Sequence, residues 1–203
     1  MAHNNEEIES KFYVRNLAVI EKRLVELGST CIVPRGFEYN LRFDDAQNGL
    51  QSRHQVLRLR KFDDVRLTYK GPGKKVGNAY ARQEVELVVN DFEQARLFLE
   101  CLGFHLEVVY EKYRAMYQLG TALITLDELP YGLFVEIEAE TSREIEDIAN
   151  RLQLDPQTAI PASYQGLFEQ VRQKKNLPVK NLSFEEFIQY SITPADLGVS
   201  PAD

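Results

Sequence analysis

The feature that most limits this chain's fold is a pattern of charges two residues apart that keeps returning. Glu7-Ile8-Glu9-Ser10-Lys11 puts three ionisable side chains at alternate positions. In an extended strand alternate residues share a face, so Glu7, Glu9 and Lys11 project together and Ile8 projects the other way. One such strand is ordinary, with its charges in solvent. Here the pattern recurs in Arg58-Leu59-Arg60, Arg82-Gln83-Glu84-Val85-Glu86, Lys112-Tyr113-Arg114 and Glu136-Ile137-Glu138. Lys70 stands two after Thr68, and Asp127 two after Thr125, with apolar neighbours on the other face. Paired in one sheet, these strands gather seven acids (Glu7, Glu9, Glu84, Glu86, Asp127, Glu136, Glu138) on one surface. The same surface gathers seven bases (Lys11, Arg58, Arg60, Lys70, Arg82, Lys112, Arg114).

Two architectures accommodate such a face. An open sheet can show it to solvent as a salt-bridge ladder. A barrel can close with the charges inward around a wet lumen and its apolar face outward under helices. The residue types favour a ligand in a lumen. Arginine matches planar phosphate oxygens, and clustered carboxylates match hard divalent cations such as Mg2+ or Mn2+. Closure also removes the exposed edges of so long an antiparallel sheet.

The 203 residues carry a formal charge of −7, which argues against a protein that grips nucleic acid through its phosphates. The bases are instead concentrated in certain strands, as a local anion site requires. Cys31 and Cys101 have no metal-binding spacing and read as reduced and buried. No apolar run approaches a membrane span, and no secretion signal stands out, so the expectation is a cytoplasmic protein. There is no Walker-type loop, GxGxxG or GxSxG.

In chain order, residues 16–27 read as a helix, with Asn16 as cap, Leu17, Ile20, Leu24 and Leu27 as stripe and Gly28 as stop. Residues 30–44 are expected to be extended, through 30–33 and then 38–44, followed by a turn to Gly49, a strand at 55–61, a hairpin at Asp63-Asp64 and a strand at 65–70. Residues 71–75 read as an exposed loop rather than a basic lid. A strand at 80–89 leads to a helix at 92–102, capped by Asp91, with Ala95, Phe98, Leu99 and Leu102 buried. Strands are expected at 104–119, 122–126 and 133–139, with a turn over 127–132. Helices at 142–152 and 164–173 are expected only to pack. A tail from Leu177 carries a helical piece at 183–190, and the Pro- and Gly-containing end after it is expected to be loosely held. The division is a domain over 1–175 and a tail over 176–203. Residues 8–70 and 81–138 repeat one order, strand, helix, strands, so the fold class is α+β, an eight-stranded antiparallel barrel with helices outside.

These residues together resemble one family. Glu7-x-Glu9-x-Lys11 is similar to the ExExK signature of the CYTH superfamily, the triphosphate tunnel enzymes. In the same order come Leu57-Arg58-Leu59-Arg60, Leu67-Thr68-Tyr69-Lys70-Gly71-Pro72, Arg82-x-Glu84-x-Glu86, Glu111-Lys112-Tyr113-Arg114, and Leu126-Asp127-Glu128 followed by Gly132-x-Phe134-Val135-Glu136-Ile137-Glu138. Glu38-x-Asn40-x-x-Phe43-Asp44 and Ser163-Tyr164 are weaker echoes. The resemblance spans roughly residues 5–172, and the ordered set is far more specific than ExExK alone.

It implies a small-molecule triphosphate substrate and Mg2+ or Mn2+. By resemblance, Glu7, Glu9, Asp127, Glu136 and Glu138, with Glu84 or Glu86, hold the metal. Lys11, Arg58, Arg60, Lys70, Arg82, Lys112 and Arg114 hold the triphosphate. Lys11 is also the candidate catalytic residue, activating or orienting the attacking water, if its neighbouring bases outweigh its acids; a plain phosphate clamp is the alternative. The leading activity is hydrolysis of a terminal phosphoanhydride. The alternative is a class IV adenylate cyclase, but the His-Phe pair that precedes ExExK in those enzymes is replaced here by Asn4-Asn5-Glu6, with His3 alone. A non-catalytic polyphosphate or nucleotide sensor is a third reading. The oligomeric state is open, with a homodimer allowed.

Overall fold

The computed structural model describes residues 6–77 and 79–203, excluding the side chains of Glu6, Glu7 and Tyr80. The elements of the first half are β1 (Glu6–Val14), α1 (Leu17–Glu26), β2 (Thr30–Asp44), α2 (Gly49–Ser52), β3 (Val56–Lys61), β4 (Val65–Lys70) and β5 (Lys74–Val76). Then come β6 (Ala79–Val88), α3 (Phe92–Cys101), β7 (His105–Leu119), β8 (Ala122–Leu129), β9 (Gly132–Ala139), α4 (Ser142–Arg151), α5 (Tyr164–Lys174), α6 (Phe184–Phe187) and α7 (Pro194–Leu197).

Eight strands close an antiparallel barrel in the order β1-β9-β8-β7-β2-β3-β4-β6, and β6 returns to β1. The closing seam runs from Glu6 opposite Gln83 to Glu9 opposite Tyr80. Short β5 pairs with β6 beyond the end of β4, so part of the expected 71–75 loop is strand. Exchanging β1 with β6, β2 with β7, β3 with β8 and β4 with β9 leaves the strand order unchanged, which is the internal repeat expected from the sequence. The repeated helices start and stop alike. Asn16 accepts from Ala18 N at 3.0 Å and Asp91 from Gln94 N at 3.0 Å, while Gly28 and Gly103 follow with φ of 79° and 90°.

Charges inward means apolar residues outward, and the helices cover them. Under α1 and α4, Phe12, Val14, Ile124, Val135 and Ile137 pack against Ile20, Leu24, Ile145 and Ile148. Under α3, Leu41, Phe43 and Leu59 meet Leu99. A third cluster, around Phe134, Tyr164, Leu167 and Phe168, closes over one end of the barrel. Among the described residues, no helix is long and apolar enough to cross a membrane.

Residues 30–44 are extended as expected, forming one strand with register shifts against β7. Several other expectations are corrected. The turn expected at 127–132 shortens to residues 130–131, because β8 runs through Leu129 and Asp127 pairs with Phe134 inside the ladder. Helix α3 buries one narrow stripe through Leu99 on β3, leaving Phe98 62% and Leu102 60% exposed. Cys31, at the start of β2, and Cys101, at the end of α3, are free and exposed, not buried. The end after residue 190 is not loose, and the tail before it is packed as well. Leu177, Val179, Leu182, Phe187 and Leu197 are buried in the third cluster, and Ala202 N donates to Tyr13 O at 2.9 Å.

Candidate active site

The inward face lines a cavity of about 700 Å3. Twelve of the fourteen alternating charges reach its wall. Glu7 is placed only by its backbone, opposite Arg82; its side chain lies outside the described residues. Asp127 is fully buried behind the wall, below Arg114. Nine Lys and Arg line the cavity against seven Asp and Glu, so an acidic chain encloses a lumen with a surplus of bases.

One side of the lumen is an interlocked set of ion pairs. Asp127 accepts from Arg114 Nε at 2.6 Å and Nη2 at 2.5 Å, from Lys112 Nζ at 3.1 Å and from Tyr164 Oη at 2.7 Å. Those bonds occupy both oxygens, so in this structure Asp127 is turned to the bases. Glu136 pairs with Lys11 at 2.7 Å and with Arg114 at 2.6 Å. Glu38 is fully buried between Lys112 at 3.5 Å, Arg114 at 3.9 Å and Arg60 at 4.0 Å. Burial pushes the Glu38 carboxyl up, but Lys112, Arg114, Arg58 and Arg60 outweigh it and hold it at about 2. Burial likewise opposes ionisation of Glu136, and Lys11 and Arg114 reverse it, leaving the group well below the ordinary range. Glu86 is held at about 2: burial is outweighed by the Thr68 and Arg66 hydrogen bonds and by Arg58.

The next stretch of the wall, one inward pair along β1 and β9 from Lys11 and Glu136, has the reverse problem. Glu9 and Glu138 are register partners across β1 and β9, and Glu84 on β6 faces them. Burial first, then Glu9 and Glu84, push Glu138 up to about 7. Glu138 makes no hydrogen bond or ion pair with any described residue, whereas Arg82 reaches Glu9 at 3.5 Å and Glu84 at 3.0 Å. Among the described residues no three His, Cys, Asp or Glu stand close enough to form a finished metal cage. The donor set nevertheless fits a hard divalent cation. It is all oxygen, it is short of positive charge at Glu138, and it lies beside open lumen.

The arginines leave donors over. Arg60 makes no hydrogen bond among the described residues, and its Nε is buried without a partner, as are those of Arg58 and Arg42. Among the described residues Arg42 reaches only Glu107, at 3.8 Å. Burial and then Arg58 depress Arg60. Unsatisfied buried donors are costly, and an anion in the lumen would satisfy them.

The lysines also separate. Burial works against the charge of Lys11, but Glu136 and Glu9 prevail and raise it, so the acids win and Lys11 stays an ammonium group. Burial, then Arg58 and Arg82, lower Lys70 despite its hydrogen bond to Glu84. Sequence reasoning did not single out Glu38, Asn40 or Arg42 as site residues, although their period-2 spacing on β2 is the same signal. It also passed over Tyr110, which hydrogen-bonds Arg58 at 3.3 Å, and it met Tyr164, which enters from α5 and carries no periodic signal, only as a weak family echo with no role.

Comparison with known proteins agrees with this geometry. The family model described as CYTH domain matches residues 5–164. A protein of Methanocaldococcus jannaschii, named as a proposed adenylate cyclase, is 25% identical over 170 residues, covering 78% of this chain and 95% of its own. A solved Pyrococcus horikoshii structure is 28% identical with a TM-score of 0.65, covering 78% of this chain and 96% of that one. A Hippeastrum protein, a proposed adenylyl cyclase described as having a dominant triphosphatase activity, shares the fold. Its TM-score is 0.55 at 20% identity, over 96% of this chain and all of that one.

Proposed function

This chain belongs to the CYTH domain family, and from that premise we propose that it hydrolyses the terminal phosphoanhydride of an inorganic or organic triphosphate inside the barrel, with Mg2+ or Mn2+. The observation that carries the reading is the buried base-rich wall whose Arg42, Arg58 and Arg60 Nε donors have no partner, set across the lumen from the under-compensated Glu138. A triphosphate satisfies the first and a divalent cation the second.

In this reading Arg58, Arg60, Lys112 and Arg114, with Lys70 and Arg82, neutralise the oxygens along the phosphate chain and hold it in line for attack. Glu9, Glu84 and Glu138, joined by Glu7, are the donors for the cation, and Glu86 and Glu136 stay engaged with the bases. When bound, the cation supplies Lewis-acid neutralisation of phosphoryl oxygens and orients water. Lys11 remains charged, so its Nζ donates to a phosphoryl oxygen as negative charge builds there; it does not take the water's proton. Water adds to the terminal phosphorus, the bridging P–O bond breaks, the shortened phosphate leaves, and the water's proton passes to solvent.

The test is a product assay on tripolyphosphate, thiamine triphosphate, ATP and GTP, each with Mg2+, with Mn2+ and with EDTA. Orthophosphate release that EDTA abolishes supports the proposal and identifies the substrate. Pyrophosphate and cyclic AMP from ATP would replace it with the cyclase that the archaeal relative's name suggests. Tight binding without turnover would leave a sensor.

A further inference from the structure

Helix α5 lies outside the barrel, yet its first residue reaches the lumen. The Tyr164 ring sits 4.2 Å from Lys11 Nζ and 5.0 Å from Lys112 Nζ, and its edge meets Phe134 at 5.2 Å. Its hydroxyl donates to Asp127 Oδ2 at 2.7 Å, the carboxylate that grips Arg114 on two nitrogens. Its own carbonyl accepts from Tyr131 Oη at 2.9 Å. Just upstream, Ile160 N donates to Lys11 O at 2.8 Å, tying the same segment to β1. The residue is 9% exposed and lines the cavity.

We propose that Tyr164 is a positioning residue for the triphosphate clamp, its ring setting the Lys11 and Lys112 ammonium groups and its hydroxyl fixing Asp127 and, through it, Arg114. Two features support this over simple packing. An aromatic ring attracts an ammonium group most when both are desolvated, and here one ring serves two. A hydroxyl hydrogen bond to a buried carboxylate is charge-assisted and directional, and this carboxylate is the hinge of the paired wall. Burial and then Asp127 and Glu136 keep the phenol protonated, so it stays a donor.

The role rests on the triphosphate reading, and the experiment separates the two. Calorimetry would measure tripolyphosphate binding, with Mg2+ and with EDTA, to the full chain and to Tyr164→Phe and Tyr164→Leu, with a thermal melt of each. Tyr164→Phe keeps the ring and loses only the hydroxyl. We expect its affinity to fall roughly 10-fold, with an unchanged melt, and Tyr164→Leu to fall further, to roughly 100-fold. In hydrolysis the same variants should raise KM in step with Kd. Wild-type binding matched by both variants would overturn the role while leaving the triphosphate site standing. A lowered melting temperature with unchanged affinity in both would reduce Tyr164 to packing. No wild-type binding would overturn the triphosphate reading, and this role with it.

Discussion

The paired side and the acidic side of the lumen wall adjoin along β1 and β9 on one inward face, but their electrostatics run in opposite directions. Around Lys112 and Arg114 every buried acid faces two or more bases, and Glu38 is held at about 2. Around Glu9 and Glu84 the acids face each other, and Glu138 rises to about 7. Burial penalises charge on both sides, so the identity of the cross-strand neighbours decides the outcome. The paired side is set before any ligand arrives, as an oriented phosphate cradle needs. The acidic side is incomplete until a cation arrives.

The largest effect should come from breaking the paired side at its centre. Glu38→Gln leaves Lys112, Arg114 and Arg60 with one buried counter-charge fewer, and the expected loss is about 3–5 kcal/mol of unfolding free energy in urea titrations. Tripolyphosphate should restore part of it by linkage. A loss under about 1 kcal/mol would mean that Glu38 does not hold this side together.

Lys11→Ala comes next. It removes one of the two bases on Glu136 and keeps Arg114 there, so the barrel should still fold by circular dichroism. Turnover should fall roughly 100-fold. An unchanged rate would take Lys11 out of the chemistry.

The pH profile contrasts the two sides within one molecule. Glu38 and Glu86, lowered from 4.5 to about 2, add stability that is present above 4.5 and lost as pH falls toward 2. Glu138, raised from 4.5 to about 7, binds its proton more tightly when folded, so it makes stability fall from pH 4.5 to 7 and stay lower above that. In EDTA this decline should be on the order of 3 kcal/mol. It should vanish in Glu138→Gln and flatten with Mg2+. An identical slope in wild type and Glu138→Gln would show that the acids do not crowd Glu138.

The smallest effect is expected at the rim. Arg66 pairs with Asp64 at 2.8 Å and Glu86 at 2.9 Å but is about one-third exposed, so Arg66→Ala should cost less than about 1 kcal/mol in the same urea titration. A larger cost would extend the paired side to the rim.

Much of this was legible in the sequence because the period-2 charges mark a strand face whatever the tertiary context. The internal repeat was visible for the same reason, through matching helix caps and glycine stops. Depth was not legible. Asp127 has the right parity, yet its side chain turns down to Arg114 behind the wall, a choice set by the neighbours on β7. The charge state of Lys11 depended on Glu136 lying opposite it across β9, which is a matter of register. Tyr164 comes from a helix expected only to pack. The tail's apolar residues were visible, but the end of the barrel they cover exists only once it closes.

The central claim is that the paired side takes the phosphates and the acidic side takes the metal. The most direct test is the rate of phosphate release from tripolyphosphate as Mg2+ is titrated, for wild type and Glu138→Gln. The account predicts turnover that EDTA abolishes, with Glu138→Gln needing roughly 10-fold more Mg2+ or more for half its maximal rate while still binding tripolyphosphate. Metal-independent release, or the same Mg2+ requirement in both proteins, would contradict it.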